Sequence, residues 1–314
     1  MPTGIVVRAP TRIDLGGGWT DVPPYCDREG GFVCNVAISR YATATIRAHG
    51  DATKLEDALL SAVTRRAELA GEHISVENDF PVGAGLGGSS AASAALLVAA
   101  AEWRGIPWNR RDIAEAGRAI EVEDMGIAGG RQDHYAAAFG GALALTFGST
   151  VKVQRITLDR QRGAEFVARC VLVYTGESRI SGGTITAVLG AWQSGEKRVV
   201  NALARMRDIA RQMAAALEHG EFDLLGSQLD EHWHFQRDLH PSIPTPRIDE
   251  IIARGKAAGA LGAKAMGASG GGCVLLFAPA AGTERVRAAV APLGTFVDFG
   301  MDMEGVTVVQ KREP

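Results

Sequence analysis

The sequence predicts a two-domain α+β protein, and three observations carry that reading. A chain of 314 residues, 46% hydrophobic and 22% charged, can bury a large core and is long for a single domain. Its second half mixes strand-like stretches at 151–157, 170–174, 273–277 and 305–310 with helical ones at 183–193, 197–218, 222–238, 247–260 and 283–292, a content that suits an α+β domain. Phe147-Gly148-Ser149-Thr150 breaks the preceding strand, which sets the expected boundary at 150 and divides the chain into 1–150 and 151–314.

In the first half, residues 5–9 read as a short strand. Residues 31–38 (GFVCNVAI) and 41–49 (YATATIRAH) alternate or run apolar like two paired strands, 55–70 has helical spacing, and 73–78 is a further strand. Strong helix formers fill 91–101, and 110–125 is the next helix.

Composition narrows the function. A formal net charge of -3, with no run of Lys and Arg interleaved with aromatics, gives no reason to expect nucleic acid as a partner. The apolar runs fall short of a membrane span and Met1-Pro2-Thr3-Gly4 leads directly into IVVRAP without a basic and apolar leader, so the expected compartment is the cytoplasm. Cys26, Cys34, Cys170 and Cys273 lack CxxC spacing and suggest neither a zinc site nor a disulfide framework. The helix carrying Glu231-His232-Trp233-His234, with His240 beyond it, does not gather its histidines on one face, so Trp233 reads as a packing residue and the histidines as no metal site.

The chemistry begins at Pro81-Val82-Gly83-Ala84-Gly85-Leu86-Gly87-Gly88-Ser89-Ser90, which runs straight into the helix at 91–101. Four glycines within six residues let the backbone turn tightly and present several N–H groups to one point, and the positive end of the following helix adds to them. That combination binds phosphate, and the hydroxyls of Ser89 and Ser90 stand where they could hold a metal ion bound to the phosphate. Gly83, Gly85 and Gly88 also satisfy G-x-G-x-x-G, but the second strand ending in an acidic residue that a dinucleotide site needs is missing: 91–101 is helical and then breaks at Glu102-Trp103-Arg104-Gly105-Ile106-Pro107. No Gly-Lys-Ser/Thr closes the loop either, which removes a Walker A site.

Two further clusters supply side chains. Arg12, Asp14, three consecutive glycines at 16–18, Trp19, Thr20 and Asp21 fall within about ten residues, a composition suited to a polyhydroxylated ligand, with Asp21 as a hydroxyl acceptor. Glu121 and Asp133 lie twelve residues apart across a glycine-rich turn and can face one cavity, Glu121 as a metal ligand and Asp133 towards a hydroxyl. Phosphoryl transfer needs charge neutralisation, in-line positioning and sometimes a base, and this set provides them.

Together with Gly262-Ala263-Lys264-Ala265-Met266-Gly267-Ala268-Ser269-Gly270-Gly271-Gly272-Cys273, these stretches resemble the three motifs of the GHMP kinase superfamily, over nearly the whole chain. The resemblance implies an enzyme dependent on ATP and Mg2+, with an N-terminal domain like the second domain of ribosomal protein S5 and a ferredoxin-like C-terminal domain. It also implies that Asp133 is the catalytic aspartate, Arg12 the active-site arginine and Glu121 the magnesium-binding glutamate. ATP is then held by Pro81, Gly83, Ala84, Gly85, Leu86, Gly87, Gly88, Ser89 and Ser90. One extra glycine in the loop leaves open whether Ser89 or Ser90 meets magnesium, and Ser269 stands where the third motif usually has glycine.

Within the superfamily, the first motif with its Gly-Gly-Gly-Trp-Thr-Asp-Val-Pro-Pro-Tyr, the string Arg131-Gln132-Asp133-His134-Tyr135 and Tyr174-Thr175-Gly176-Glu177-Ser178-Arg179 look like D-glycero-D-manno-heptose 7-phosphate kinases and related fucokinase domains. This implies phosphorylation of an anomeric hydroxyl of a sugar or sugar phosphate. The substrate would be bound by Asp14, Gly17, Gly18, Trp19, Thr20, Asp21, Gly270 and Gly271, with Arg179 for a substrate phosphate. A free-sugar 1-kinase and a catalytically silent sugar sensor on the same fold are the alternative expectations, and a monomer or a homodimer the expected state. Asp14 replaces an asparagine of galactokinases and Gly17-Gly18-Trp19 their Gly-Glu-His, so galactose is not expected.

Overall fold

The computed structural model describes residues 2–48, 58–69, 72–177 and 182–312, and its mixture of helices with antiparallel sheets is α+β. Strand β1 (Gly4–Gly16) is longer than 5–9: up to Ala9 its residues alternate between buried and half-exposed, and from there to Gly16 both faces are buried. The two strands expected at 31–38 and 41–49 are one, β2 (Gly31–Arg47). In place of a turn, the pairing with β1 shifts register between Pro10 and Thr11, so the strand bends at an irregularity and continues.

Short helix α1 (Tyr25–Glu29) precedes β2; α2 (Ala58–Arg66) and β3 (His73–Asn78) follow it. The Ala-rich run becomes α3 (Gly88–Arg104), which packs on β1 and β2. Helix α4 (Arg110–Ala119) is capped by Asn109, whose side chain accepts the Asp112 N–H at 3.0 Å, and passes into one π-helical turn, Ile120–Asp124. A short helix α5 (Gln132–Phe139) and strands β4 (Ala142–Phe147) and β5 (Lys152–Ile156) complete this half.

The remaining elements are α6 (Arg160–Arg169), β6 (Cys170–Tyr174), α7 (Gly182–Gln193), α8 (Lys197–His219), α9 (Phe222–Arg237), α10 (Pro246–Ala257), β7 (Gly262–Ala265), β8 (Cys273–Phe277), α11 (Thr283–Val290), β9 (Thr295–Phe296) and β10 (Thr307–Arg312). The first sheet runs β10-β1-β2-β4-β5 with β3 also on β2, and the second runs β7-β8-β6-β9. The boundary at 150 therefore does not follow the sheets. Strands β5 and β10, both beyond it, pair into the first sheet, because β5 continues the β4 hairpin and the chain end returns to the free edge of β1.

One core cluster joins the sheets: Ile13 and Val36 of the first pack with Met213 and Leu229 of α8 and α9 and with Leu172 and Leu275 of the second. Burial of such a shared apolar layer holds the two sheets in fixed relation, so a site built from both is pre-formed. Among the described residues no helix is long and apolar enough to cross a membrane.

Candidate active site

The glycine loop and the third motif meet backbone to backbone. Cys273 N–H donates to Ala84 O at 2.8 Å, and a Cβ on Gly85, whose φ is +74°, would stand 2.8 Å from Met266 O. Only glycine allows that approach, so one role of the third motif is to buttress the loop before α3. The Arg12 N–H donates to Leu86 O at 3.0 Å, which ties the loop to β1 from the other side. The first N–H groups of α3 have no helical acceptors, and the loop delivers them to the cavity wall.

That cavity, about 630 Å³, lies between the loop, the first motif and residues 266–271. Part of its wall is apolar, formed by Leu59, Val63, Val76, Phe80 and Leu96 from the core around α2, β3 and α3. The rest is polar and carries Arg12, Asp14, Asp21, Ser89, Glu121 and Asp133. A cavity with an apolar wall beside a glycine-rich helix start and a carboxylate-rich end has the parts to seat a base, its phosphates and a hydroxylated acceptor.

Asp133, in the first turn of α5, receives Arg12 in two-pronged fashion, Nε to Oδ1 at 2.7 Å and Nη2 to Oδ2 at 2.8 Å. The remaining guanidinium nitrogen, Nη1, donates to Gly85 O at 2.6 Å. A Cβ on Gly87 would lie 3.2 Å from the Asp133 carboxyl, so the loop passes directly over the aspartate.

Glu121 sits in the π-helical turn after α4, where an extra residue per turn shifts the side chains that follow; such turns recur at functional sites. Its Oε1 accepts the Ser89 hydroxyl at 3.1 Å and its Oε2 faces His134 Nε2 at 3.0 Å. Burial works against its charge, but the hydrogen bond and charge of His134 and the hydrogen bond from Ser89 prevail and hold its carboxyl below the usual range. The two serines differ. Ser89 is exposed, whereas Ser90 is 1% exposed and its Oγ lies 3.4 Å from His134 Nε2. Among the described residues no three His, Cys, Asp or Glu gather to hold a metal alone. A glutamate and a serine beside a phosphate loop fit a hard cation that takes its other ligands from phosphate and water.

Asp21 is 2% exposed, and its Oδ2 accepts the Gln132 N–H at 2.9 Å. Burial, with the charges of Asp133 and Asp14 against the Gln132 hydrogen bond, pushes it up to about 6. Asp14 is also buried, and Lys264, with no exposed surface, donates to its carbonyl at 2.9 Å and to Oδ2 at 3.1 Å. Burial alone would raise Asp14, but the charges of Lys264 and Arg12, with the Lys264 hydrogen bond, outweigh it and keep the carboxyl low.

Several expected substrate contacts lie elsewhere. Gly17 is behind the wall, its N–H donating to His232 Nε2 at 2.9 Å, and the Thr20 hydroxyl is spent on Gly17 O at 2.6 Å. Neither lines the cavity, because the Gly-rich turn buries its first residue and its threonine to fix its own shape. Gly270 does not line it either, since its N–H donates to Ile243 O at 2.8 Å, while Gly18, Trp19 and Gly271 do. Arg179 lies outside the described residues. Trp233 packs in the core beyond the cavity, with Val199 and Leu239 in one cluster. Composition alone missed His134, Lys264 and His232: a buried partner of a site residue carries no spacing signal of its own.

The sequence profile of the GHMP kinases N terminal domain matches residues 52–141, and that of the GHMP kinases C terminal matches 213–292. The chain is 28% identical to D-glycero-alpha-D-manno-heptose 7-phosphate kinase of Campylobacter jejuni, with 96% of this chain and 98% of that one covered. It is 25% identical to L-fucokinase/L-fucose-1-P guanylyltransferase of Bacteroides fragilis, over 96% of this chain but 38% of the larger protein. Among solved structures, a D-glycero-D-manno-heptose 1-phosphate kinase from Bacteroides thetaiotaomicron superposes with a TM-score of 0.78 at 26% identity, covering 98% and 99% of the two chains. Galactokinase of Lactococcus lactis, solved with galactose, gives 0.76 at 16% identity over 97% and 95%, a likeness of fold.

Proposed function

This chain belongs to the GHMP kinases, and we propose that within that family it transfers the γ-phosphoryl group of ATP to the anomeric hydroxyl of a sugar, D-glycero-D-manno-heptose 7-phosphate first among the substrates. The observation that carries this reading is the Arg12–Asp133 pair under the glycine loop, at the polar end of a cavity whose other wall is apolar. Bound ATP with magnesium supplies the phosphoryl group and part of the charge neutralisation. The glycine loop and the start of α3 cradle the phosphates, and Ser89 with Glu121 holds the metal, because Ser89 is the exposed serine and already touches Glu121. Asp133 accepts the proton of the attacking hydroxyl while Arg12 fixes its orientation, and Asp21 and Asp14 bind neighbouring hydroxyls of the acceptor.

A free-sugar 1-kinase is the second reading, favoured by one feature: among the described residues that line the cavity, Arg12 is the only cationic side chain, and it is committed to Asp133. A substrate phosphate would draw its partner from outside that lining, and Arg179 is the residue to test. Incubation with MgATP and a panel of sugars and sugar phosphates, read by ADP release and by phosphorus NMR of the product, separates the two. Asp133→Asn should cut turnover by orders of magnitude while nucleotide still binds. Turnover near the wild-type rate would remove Asp133 from the mechanism.

A further inference from the structure

The buried ion pair behind the polar wall has a purpose that stability does not supply. Lys264 on β7 and Asp14 on β1 come from opposite ends of the chain and meet between the two sheets, with 0% and 3% of their side chains exposed. Two charges removed from water at such a depth gain little over an apolar pair of the same volume. His232 of α9 stands beside them. Burial first, and then the Lys264 charge, holds its imidazole well below the usual range, so it is neutral and accepts the Gly17 N–H that fixes the turn above.

The pair is also incomplete. Lys264 takes the carbonyl and Oδ2 of Asp14, while Asp14 Oδ1 is buried and has no partner among the described residues. Asp14 lines the cavity together with Gly18, whose backbone passes so close that a Cβ there would collide with Asp14 Oδ2; glycine and Lys264 thus close off the Oδ2 side, and Oδ1 is the oxygen left without a hydrogen-bond partner among the described residues. A buried acceptor without a donor costs free energy unless something supplies the donor.

We propose that Lys264 is a positioning residue for the acceptor subsite: it holds Asp14 as a carboxylate in one orientation, with Oδ2 committed to the ammonium and Oδ1 kept for a hydroxyl of the bound sugar. This rests on the sugar-kinase reading and deepens it. With Asp21 and Asp133 on the same wall, the subsite takes a neutral polyol face and repels an anionic one, so any phosphate that the substrate carries points away from these three carboxylates.

Calorimetric titration of mannose, fucose and D-glycero-D-manno-heptose 7-phosphate into the full chain tests it, with Lys264→Met, Asp14→Asn and the double variant alongside, between pH 5 and 8. The groups facing Asp14 are Lys264 on β7, Arg12 on β1, His232 on α9, Cys34 on β2 and the neighbouring Asp21. The wild type should bind one of the sugars with affinity independent of pH above 6.5. Lys264→Met should weaken it at least tenfold and make it fall as pH drops, because burial then raises the Asp14 carboxyl without the ammonium that opposes it. Asp14→Asn should weaken it as much without the added pH dependence, and the double variant, which leaves neither charge of the pair unpaired and so avoids the folding penalty of the single one, should be no weaker than Asp14→Asn. Wild-type affinity in Lys264→Met across the range, or additive losses in the double variant, would overturn the proposal. A wild type that binds none of the sugars would overturn the sugar-kinase reading itself.

Discussion

Arg12 and Asp133, 121 residues apart, meet in a two-pronged ion pair whose third arm, Nη1 to Gly85 O, reaches the glycine-rich loop. The Arg12 side chain is 4% exposed and that of Asp133 27%, so the arginine is fixed and the carboxylate is the partner that can meet a ligand. Arg12→Lys keeps the charge but not the planar fork, and cannot serve both oxygens and the carbonyl at once. It should lower kcat by about a hundredfold and leave the KM for ATP within about threefold, about 3 kcal/mol of transition-state stabilisation by the usual conversion. Steady-state kinetics checks this; an unchanged kcat would mean that the fork only braces the loop.

Asp21 links the site to stability. Its carboxyl, pushed up to about 6 chiefly by burial, binds a proton in the folded state where the unfolded chain, near the ordinary 3.8, has already released it. Native protein therefore holds more protons between about pH 4 and 6, and the contribution of Asp21 to stability falls as pH rises through that window, then levels off. A carboxyl held at about 6 in place of 3.8 corresponds to about 3 kcal/mol. Asp21→Asn retains an acceptor for the Gln132 N–H and has no proton to lose. Thermal melts from pH 4 to 7 should show the variant gaining on the wild type up to about pH 6; parallel curves would mean that Asp21 titrates at its ordinary value.

Periodicity made most of the scaffold legible, because β3, β6 and β8 and the helices α8 to α10 are long or apolar enough to show their period. It split β2 in two because the apolar run of 31–38 stops at Ser39-Arg40 before the alternation of 41–49 begins, while the continuity of that strand comes from pairing with β1, a tertiary fact. Helix α5 and strand β7 were hidden inside motifs whose glycines and charges obscure any period. The same motifs marked Arg12, Glu121 and Asp133 as candidates, since charged side chains clustered beside glycine turns are a poor composition for a structural turn, and the fold brings all three to one cavity wall. Lys264 and His134 were not so marked: each acts through another residue, and only the fold brings the pairs together.

The serines of the loop divide by burial. Ser89 touches Glu121 from the cavity side, and Ser90 is inside, beside His134. Ser89→Ala should raise the magnesium concentration needed for half-maximal rate by about tenfold, on the order of 1.4 kcal/mol. Ser90→Ala should leave that requirement unchanged and lower the melting temperature by a few degrees, through loss of a buried hydrogen bond. Magnesium titrations at fixed ATP, paired with melts, decide between them; the reverse assignment would place the metal behind the loop.

Ser269 breaks the glycine pattern of the third motif at a position where the backbone has a φ of +63°. A side chain in that left-handed region costs about 1 kcal/mol, and here the Ser269 hydroxyl recovers a similar amount by accepting the Gln236 Nε2–H at 3.0 Å, in a site where the residue is 9% exposed. The two effects have opposite sign, so glycine and serine should be nearly equivalent for stability while alanine is worse than both. Ser269→Gly should fall within about 0.5 kcal/mol of the wild type, and Ser269→Ala should lose about 1 kcal/mol, because it keeps the strain and leaves Gln236 short of an acceptor. Gln236 also donates to Gly267 O at 3.1 Å, so losing the serine oxygen loosens the turn that supports Gly85. Urea denaturation of the three proteins tests the order. Alanine equal to serine would mean that the hydroxyl contributes nothing and that the loop carries its strain uncompensated.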